Sequence, residues 1–145
     1  MKEFWIDSTV AFILFVGLLW WQLQPVSPLD IQLTDPKGQR IEIQPPSIVL
    51  FWDMEVKASH RDIQLIQRFH QAHPQIEIQL VHKSTISANS LTEFLTSLGV
   101  YTTPRYNSEW PEQIPTTLLF HQNQRLELHH SPHYSQLMEF FEVDH

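Results

Sequence analysis

The chain has 145 residues, 42% of them hydrophobic, no cysteine and a formal net charge of −7. This length suits an anchor and one compact domain, and the hydrophobic fraction is sufficient for a buried core. The nine lysines and arginines are scattered, and the three glycines form no phosphate loop, so a nucleic-acid partner and a glycine-rich nucleotide site are both disfavoured. The absence of cysteine excludes disulfides, thiolate metal sites and thiol nucleophiles.

An apolar segment lies close to the N-terminus. Residues 10–21 read VAFILFVGLLWW, and residues 4–23 have the length that a membrane helix needs, about 20 residues. The following WWQLQPVSP offers no small-residue cleavage site, which disfavours a signal peptide. Lys2 precedes the segment, which favours a cytoplasmic N-terminus. The sequence predicts a single-pass anchor and tether over residues 1–28 and a domain outside the membrane over residues 29–145.

The domain begins with strand patterns. Residues 29–44 (LDIQLTDPKGQRIEIQ) alternate in hydrophobicity around a DPKG turn, which predicts a β-hairpin. Residues 47–52 (SIVLFW) form an almost uninterrupted apolar run, typical of a central strand that is covered on both faces.

Two capping boxes predict the starts of two helices. SHRD at residues 59–62 precedes an apolar stripe, and SLTE at residues 90–93 precedes another, which ends at Gly99. The alternating IEIQLVH of residues 76–82 predicts a strand between the two helices. A helix that connects two strands of one sheet implies a parallel βαβ unit.

The last third of the chain predicts a loop, a hairpin and a helix. Residues 101–113 are rich in polar and turn-forming types and predict a loop. TTLLFH and RLELHH flank a QNQ turn and predict a second hairpin, and apolar residues from Tyr134 to Phe141 predict a closing helix. We therefore expect an α/β domain that has a mixed sheet with helices on its faces.

Three of these stretches, in this order, resemble the thioredoxin-like family. In chain order they are DIQLTDPKGQRIEI (30–43), IVLFW (48–52) and QIPTTLLFHQNQRLELHH (113–130). The resemblance is closest to the membrane-anchored extracytoplasmic thioredoxin-like proteins of bacteria, which serve cytochrome c maturation and copper-stress tolerance. It implies a thioredoxin-like sheet with an added N-terminal β-hairpin, a cis-proline at Pro115 and a location at the bacterial inner membrane with the domain facing the periplasm.

The chain departs from this family at its redox turn. Val56 and Ser59 stand where the family carries the two cysteines of a C-x-x-C turn. Thiol–disulfide exchange requires a thiolate, so the family's redox activity does not carry over. The family's groove for an extended partner segment depends on main-chain hydrogen bonds and needs no cysteine. We therefore expect a redox-inactive binding module for an extracytoplasmic protein or peptide, without a cofactor. The expected groove residues are Trp52, Val56, Ile114, Pro115 and Thr116.

Two other functions remain open at this stage. The HHSPH segment places His129, His130 and His133 close together, and imidazoles bind copper or zinc. Adjacent strand residues point to opposite faces, however, so solvated loop histidines are the simpler interpretation. An enzyme of a non-thiol type is the other alternative, with Ser59 as a nucleophile, although a helix N-cap already explains this serine.

Overall fold

The computed structural model describes residues 31–83 and 85–144, together with Ile13 and Val16, which are both helical. The predicted membrane anchor and tether, residues 1–28, otherwise lies outside the described residues. Within the part of the chain that is described, no helix is both long and apolar enough to cross a bilayer.

The described residues form one seven-stranded sheet and three helices of eight residues or more. The strand order is β2-β1-β5-β4-β3-β6-β7. The strands are β1 (Leu33–Thr34), β2 (Arg40–Ile41), β3 (Ser47–Phe51), β4 (Glu77–His82), β5 (Arg105–Asn107), β6 (Thr116–His121) and β7 (Gln124–Leu128). The helices are α1 (Lys57–Ala72), α2 (Ala88–Ser97) and α3 (Tyr134–Phe141).

The apolar strand β3 is the centre of the sheet, as its composition predicts. It pairs in parallel with β4 on one side and antiparallel with β6 on the other. The β3-α1-β4 unit is therefore the predicted parallel βαβ unit, and both predicted hairpins are present. The predicted loop over residues 101–113 is partly wrong, because it contains the short strand β5, which pairs with β4 and β1.

The two faces of the sheet are covered differently. Ile48, Leu50 and Trp52 pack with the apolar side chains of α1, α2 and α3. Val49 and Phe51 point to the other face, where the buried cluster contains strand residues and no helical residue among those described. The expectation of helices on both faces is therefore wrong for the described residues. The second face is covered by partly buried side chains from strands and loops, namely Ile31, Ile41, Ile43, Trp110, Ile114 and Phe120.

Both predicted helix starts are shifted. Helix α1 has Val56 as its N-cap, so Ser59 lies inside the first turn and its hydroxyl accepts a hydrogen bond from the Asp53 backbone. Helix α2 is capped by Ser87, whose hydroxyl accepts from the backbone N–H of Ser90. Each observed N-cap thus lies three residues before the serine of the S-x-x-D/E pattern, because the turn that precedes this serine already has helical geometry.

Two of the later predictions are confirmed and two are wrong. Gly99 follows α2 with a φ of +78°, the left-handed conformation expected for the glycine after a helix. Helix α3 runs from Tyr134 to Phe141, as predicted. The β6–β7 turn has two residues, 122–123, and the predicted three-residue turn is wrong. Strand β7 ends at Leu128, so the histidines that follow are not part of it.

Candidate functional site

The carboxyl ends of the central strands define one edge of the sheet. The register pairs Phe51 of β3 with Val81 of β4 and with Thr116 of β6. The backbone N–H of Trp52 extends this pairing by donating to the carbonyl oxygen of Val81 at 3.0 Å. The residues next to these pairs therefore share the edge from which the β3–α1 turn emerges. They are Trp52, His82 and Pro115.

The turn from Asp53 to Val56 leads directly into α1. The Val56 N–H donates to the Asp53 carbonyl oxygen at 3.0 Å, and the Asp53 side chain accepts from the backbone N–H of Glu55 at 2.9 Å. Val56 is partly exposed at the N-cap position, and no side chain caps the helix. Ser59 is fully buried, with its hydroxyl 3.2 Å from the Asp53 nitrogen. Of the two residues at the expected cysteine positions, Val56 is therefore partly exposed and Ser59 is buried.

This turn lacks the groups that thiol or serine chemistry requires. Valine has no nucleophilic atom, and a hydroxyl does not undergo disulfide exchange as a thiolate does. Among the described residues, the structure gives the Ser59 hydroxyl no imidazole or carboxylate partner that could activate it. Ser59 is neither a helix N-cap nor an activated nucleophile, and it acts as a buried hydrogen-bond acceptor for the turn.

Two histidines hold the backbone of Met54. His82 is 1% exposed, and its Nε2 accepts the Met54 N–H at 3.4 Å. The other nitrogen of His82, Nδ1, lies 3.1 Å from the carbonyl oxygen of Lys83, so the neutral Nδ1–H tautomer satisfies both contacts. His60 Nε2 lies 2.8 Å from the Met54 carbonyl oxygen and donates to it. The turn is therefore held by His82 at the end of β4 and by His60 in α1.

Aromatic rings surround His82. Its ring centroid lies 4.7 Å from that of Trp52 in an edge-on arrangement, and Trp52 stacks on Phe94 of α2 at 5.6 Å. Trp110 lies 6.2 Å from His82 and packs its ring edge-on against Phe51 at 5.7 Å. The Nε1 of Trp52 is buried and has no hydrogen-bond partner among the described residues. This aromatic layer supports the turn from inside the domain.

His82 was not among the site residues predicted from the sequence, although its position at the end of a predicted strand was a signal for it. The residue ends the predicted strand IEIQLVH, and Trp52 ends the predicted strand SIVLFW. Parallel neighbouring strands end at the same edge of a sheet, so the pair could have been expected to meet.

The five predicted groove residues divide into two groups. The Ile114–Pro115 peptide bond is cis, as the resemblance implies. Val56 and Ile114 are partly exposed, so their side chains are accessible to a partner. The other three, Trp52, Pro115 and Thr116, are buried. These three side chains therefore lie beneath the surface of the predicted groove.

The three histidines of the HHSPH segment have separate partners. His129 lies 3.4 Å from the Thr116 hydroxyl through Nδ1 and 3.4 Å from a Glu127 carboxylate oxygen through Nε2. His130 contacts the Ser131 carbonyl oxygen at 3.1 Å, and His133 is the N-cap of α3. In residues 31–83 and 85–144, no group of three or more His, Cys, Asp or Glu side chains is placed to hold a metal ion. The described geometry offers no metal centre here.

Solved structures share this fold at low sequence identity. A secreted Mycobacterium tuberculosis disulfide oxidoreductase homologous to E. coli DsbE has a TM-score of 0.59 at 10% identity, over 78% of this chain and 94% of that chain. StoA from Bacillus subtilis has a TM-score of 0.59 at 17% identity, over 79% of this chain and 98% of its own. A thioredoxin-related protein from Neisseria meningitidis serogroup B has a TM-score of 0.58 at 11% identity, over 77% and 96%.

These similarities confirm the predicted fold. The described domain has a thioredoxin-like α/β fold, which it shares with the M. tuberculosis disulfide oxidoreductase, and the full sequence contains no cysteine. No protein-family profile and no curated protein sequence matches the chain. The fold is thus established by structural similarity.

Proposed function

We propose that this chain is a membrane-anchored, redox-inactive thioredoxin-like module of the bacterial envelope, which binds an extended segment of a partner protein. The observation that carries the proposal is the state of the turn before α1. Val56 occupies the partly exposed N-cap position and Ser59 a buried position, and the backbone N–H groups of residues 53–56 all have hydrogen-bond acceptors without either cysteine. Because the turn keeps its shape without the cysteines that thiol catalysis requires, it suits binding better than catalysis.

Two of the accessible side chains at the site are apolar. Val56 and Ile114 are partly exposed on two segments that adjoin at the same sheet edge, next to the cis Ile114–Pro115 bond. An extended segment that lies between them would contact aliphatic side chains and could pair with main-chain groups, as in strand addition. We therefore expect the partner segment to place an apolar residue, and not a cysteine, against Val56.

The proposed location rests on the sequence and on one structural neighbour. The N-terminal apolar segment has the length of a membrane helix, about 20 residues. The M. tuberculosis neighbour is described as a secreted protein. An anchored domain would meet an envelope partner at a high effective concentration, so even a modest intrinsic affinity would suffice.

Site-specific photo-crosslinking tests this proposal. A photoreactive benzophenone residue at Val56, in the full-length protein in its native membrane, should give one discrete adduct with a single partner. The matched control is the same residue at Gln124, which is exposed on the edge strand β7, away from the turn. The I114E variant should abolish the Val56 adduct, because a charge would be placed against an apolar segment.

Three outcomes would overturn the proposal. The first is the absence of any adduct at Val56, and the second is the same mixture of adducts at Val56 and at Gln124. An adduct that is insensitive to I114E would place the partner outside the groove and would equally contradict the proposal.

A further inference from the structure

A groove on the outer side of α1 lies apart from the degenerate redox turn. It has a volume of about 530 Å³ and is formed by α1 and by the segment that connects β7 to α3. The groove has a mixed lining of charged, polar and apolar side chains. The lining residues are Arg61, Asp62, Gln64, Leu65, Arg68, Ser131, Pro132, His133 and Tyr134.

Two arginines make this groove positively charged in an acidic protein. Arg61 and Arg68 lie two turns apart on one face of α1, which corresponds to about 10 Å along the helix. Helix α1, KASHRDIQLIQRFHQA, has Asp62 as its single acidic residue, so neither arginine has an acid three or four residues away. Among the described residues, neither guanidinium lies within ion-pair distance of a carboxylate, although the charge of Arg61 acts on the neighbouring Asp62, and the chain as a whole carries a net charge of −7.

Arg68 is held at the wall of the groove by an aromatic ring. Its Cζ lies 5.4 Å from the ring centroid of Tyr134, at the start of α3. This cation–π contact restricts the long side chain before any ligand binds, which lowers the entropic cost of binding. The guanidinium keeps its planar set of N–H donors, which match the oxygens of a phosphate or carboxylate.

The groove also contains a buried acceptor. Asp62 is 2% exposed, and its Oδ2 has no hydrogen-bond partner among the described residues. A buried carboxylate oxygen without a donor is costly, and a hydroxyl group of a ligand could supply that donor. A ligand that suits both features carries an oxyanion for the arginines and a neighbouring hydroxyl for Asp62.

We infer that this groove binds a hydroxylated phosphate ester of the glycerol phosphate type, with Arg61 and Arg68 on the phosphate and Asp62 on a hydroxyl. The same chemistry occurs in a soluble phosphate ester and in the headgroup of an anionic phospholipid. The site is separate from the proposed peptide groove, which has Val56 and Ile114 as its accessible side chains.

Titration of the full-length chain in a neutral detergent tests the inference. The probes are inorganic phosphate, glycerol 3-phosphate, dihexanoyl phosphatidylglycerol and dihexanoyl phosphatidylcholine, and binding is followed by calorimetry and by NMR shifts of the arginine Nε–H groups. Glycerol 3-phosphate or the phosphatidylglycerol should bind more tightly than inorganic phosphate, and the phosphatidylcholine should not bind. Preference between the first two distinguishes a soluble ligand from a lipid headgroup.

Matched variants locate the binding. R61Q/R68Q should weaken binding at least about tenfold, since charge-assisted hydrogen bonds are lost. R40Q, a change of the exposed arginine of β2, should leave the affinity unchanged. D62N should reduce the preference for glycerol 3-phosphate over inorganic phosphate, because the acceptor oxygen is lost at one position. Equal losses in R61Q/R68Q and R40Q, or no binding of any anionic probe, would overturn the inference.

Discussion

The Nε2 atom of His82 lies 3.4 Å from the backbone nitrogen of Met54, so a side chain at the end of β4 accepts a hydrogen bond from the turn that precedes α1. This contact is buried, since His82 is 1% exposed. A histidine nitrogen that accepts a backbone N–H carries no hydrogen of its own. The shape of the β3–α1 turn therefore depends on a residue that is distant in the sequence.

Removal of the His82 side chain should destabilise the domain. H82A leaves the Met54 N–H without its acceptor and creates a cavity beside Trp52, so we expect a loss of about 2–4 kcal/mol in the free energy of unfolding. Urea denaturation followed by tryptophan fluorescence measures it. H60A removes a contact to the same residue from a partly exposed position and should cost only about 1 kcal/mol. Similar losses in both variants would contradict the central role of His82.

Cysteines placed at the two family positions should form a disulfide. Val56 and Ser59 are joined by a backbone hydrogen bond of 3.0 Å across the first turn of α1, and helix geometry places Cα atoms three residues apart at about 5 Å, within the range of a disulfide. We expect V56C/S59C to oxidise within one chain, as intact mass after alkylation with and without reductant would report. The control V56C should show one free thiol. Two alkylated thiols in the oxidised double variant would show that the turn no longer has redox geometry.

Asp62 should make stability depend on pH. Burial raises the pKa of Asp62 above its ordinary value of 3.8, although a hydrogen bond from Ser131 and the charges of Arg61 and His130 act in the opposite direction. The folded state therefore holds this proton more tightly than the unfolded state, so ionised Asp62 opposes folding at neutral pH and the penalty is relieved as the pH falls through the folded pKa. D62N is free of this dependence.

The measurement is the difference in unfolding free energy between D62N and the wild type from pH 7 to pH 4. The difference should favour D62N most at pH 7 and should decline as the pH is lowered, because the wild type regains stability. S131A removes a hydrogen bond that lowers the pKa, so the same decline should begin at a higher pH in that background. A difference that is constant over this range would contradict the assignment.

Gly99 should be required for its backbone conformation and not for its size. It has a φ of +78° after α2, and a Cβ built there meets no atom within 4 Å. G99A should therefore lose about 1–2 kcal/mol of unfolding free energy through conformational strain alone. G99N should lose less, because asparagine tolerates the left-handed region. Chemical denaturation distinguishes the two, and equal stability of G99A and the wild type would refute this explanation.

Short sequence patterns predicted the secondary-structure elements that depend on residues close together in the chain. Alternating or continuous apolar residues predicted both hairpins, the central strand β3 and the helix from Tyr134 to Phe141. The glycine after α2 and the cis bond at Pro115 also agree with expectation, the latter through the family resemblance. These features depend on side-chain periodicity and on backbone preferences of single residues, which are written in the sequence.

The capping serines show where local patterns are insufficient. Ser59 has the spacing of an N-cap, but the turn at Asp53 starts the helix earlier and uses the serine hydroxyl as an internal acceptor. Which of several eligible residues caps a helix is decided by the path of the preceding chain, and tertiary packing sets that path.

The sequence by itself determined the absence of cysteine thiolate chemistry, because a chain without cysteine has no thiolate wherever its residues lie. It also determined most of the order of strands and helices, since periodicity is a local property, but it did not predict the short strand β5. Only the tertiary structure decided that His82 supports Met54, that Trp52 and Thr116 are buried, and that Arg61, Asp62 and Arg68 line one groove with Tyr134. Such contacts join residues far apart in the chain, and only strand register and helix packing bring them together.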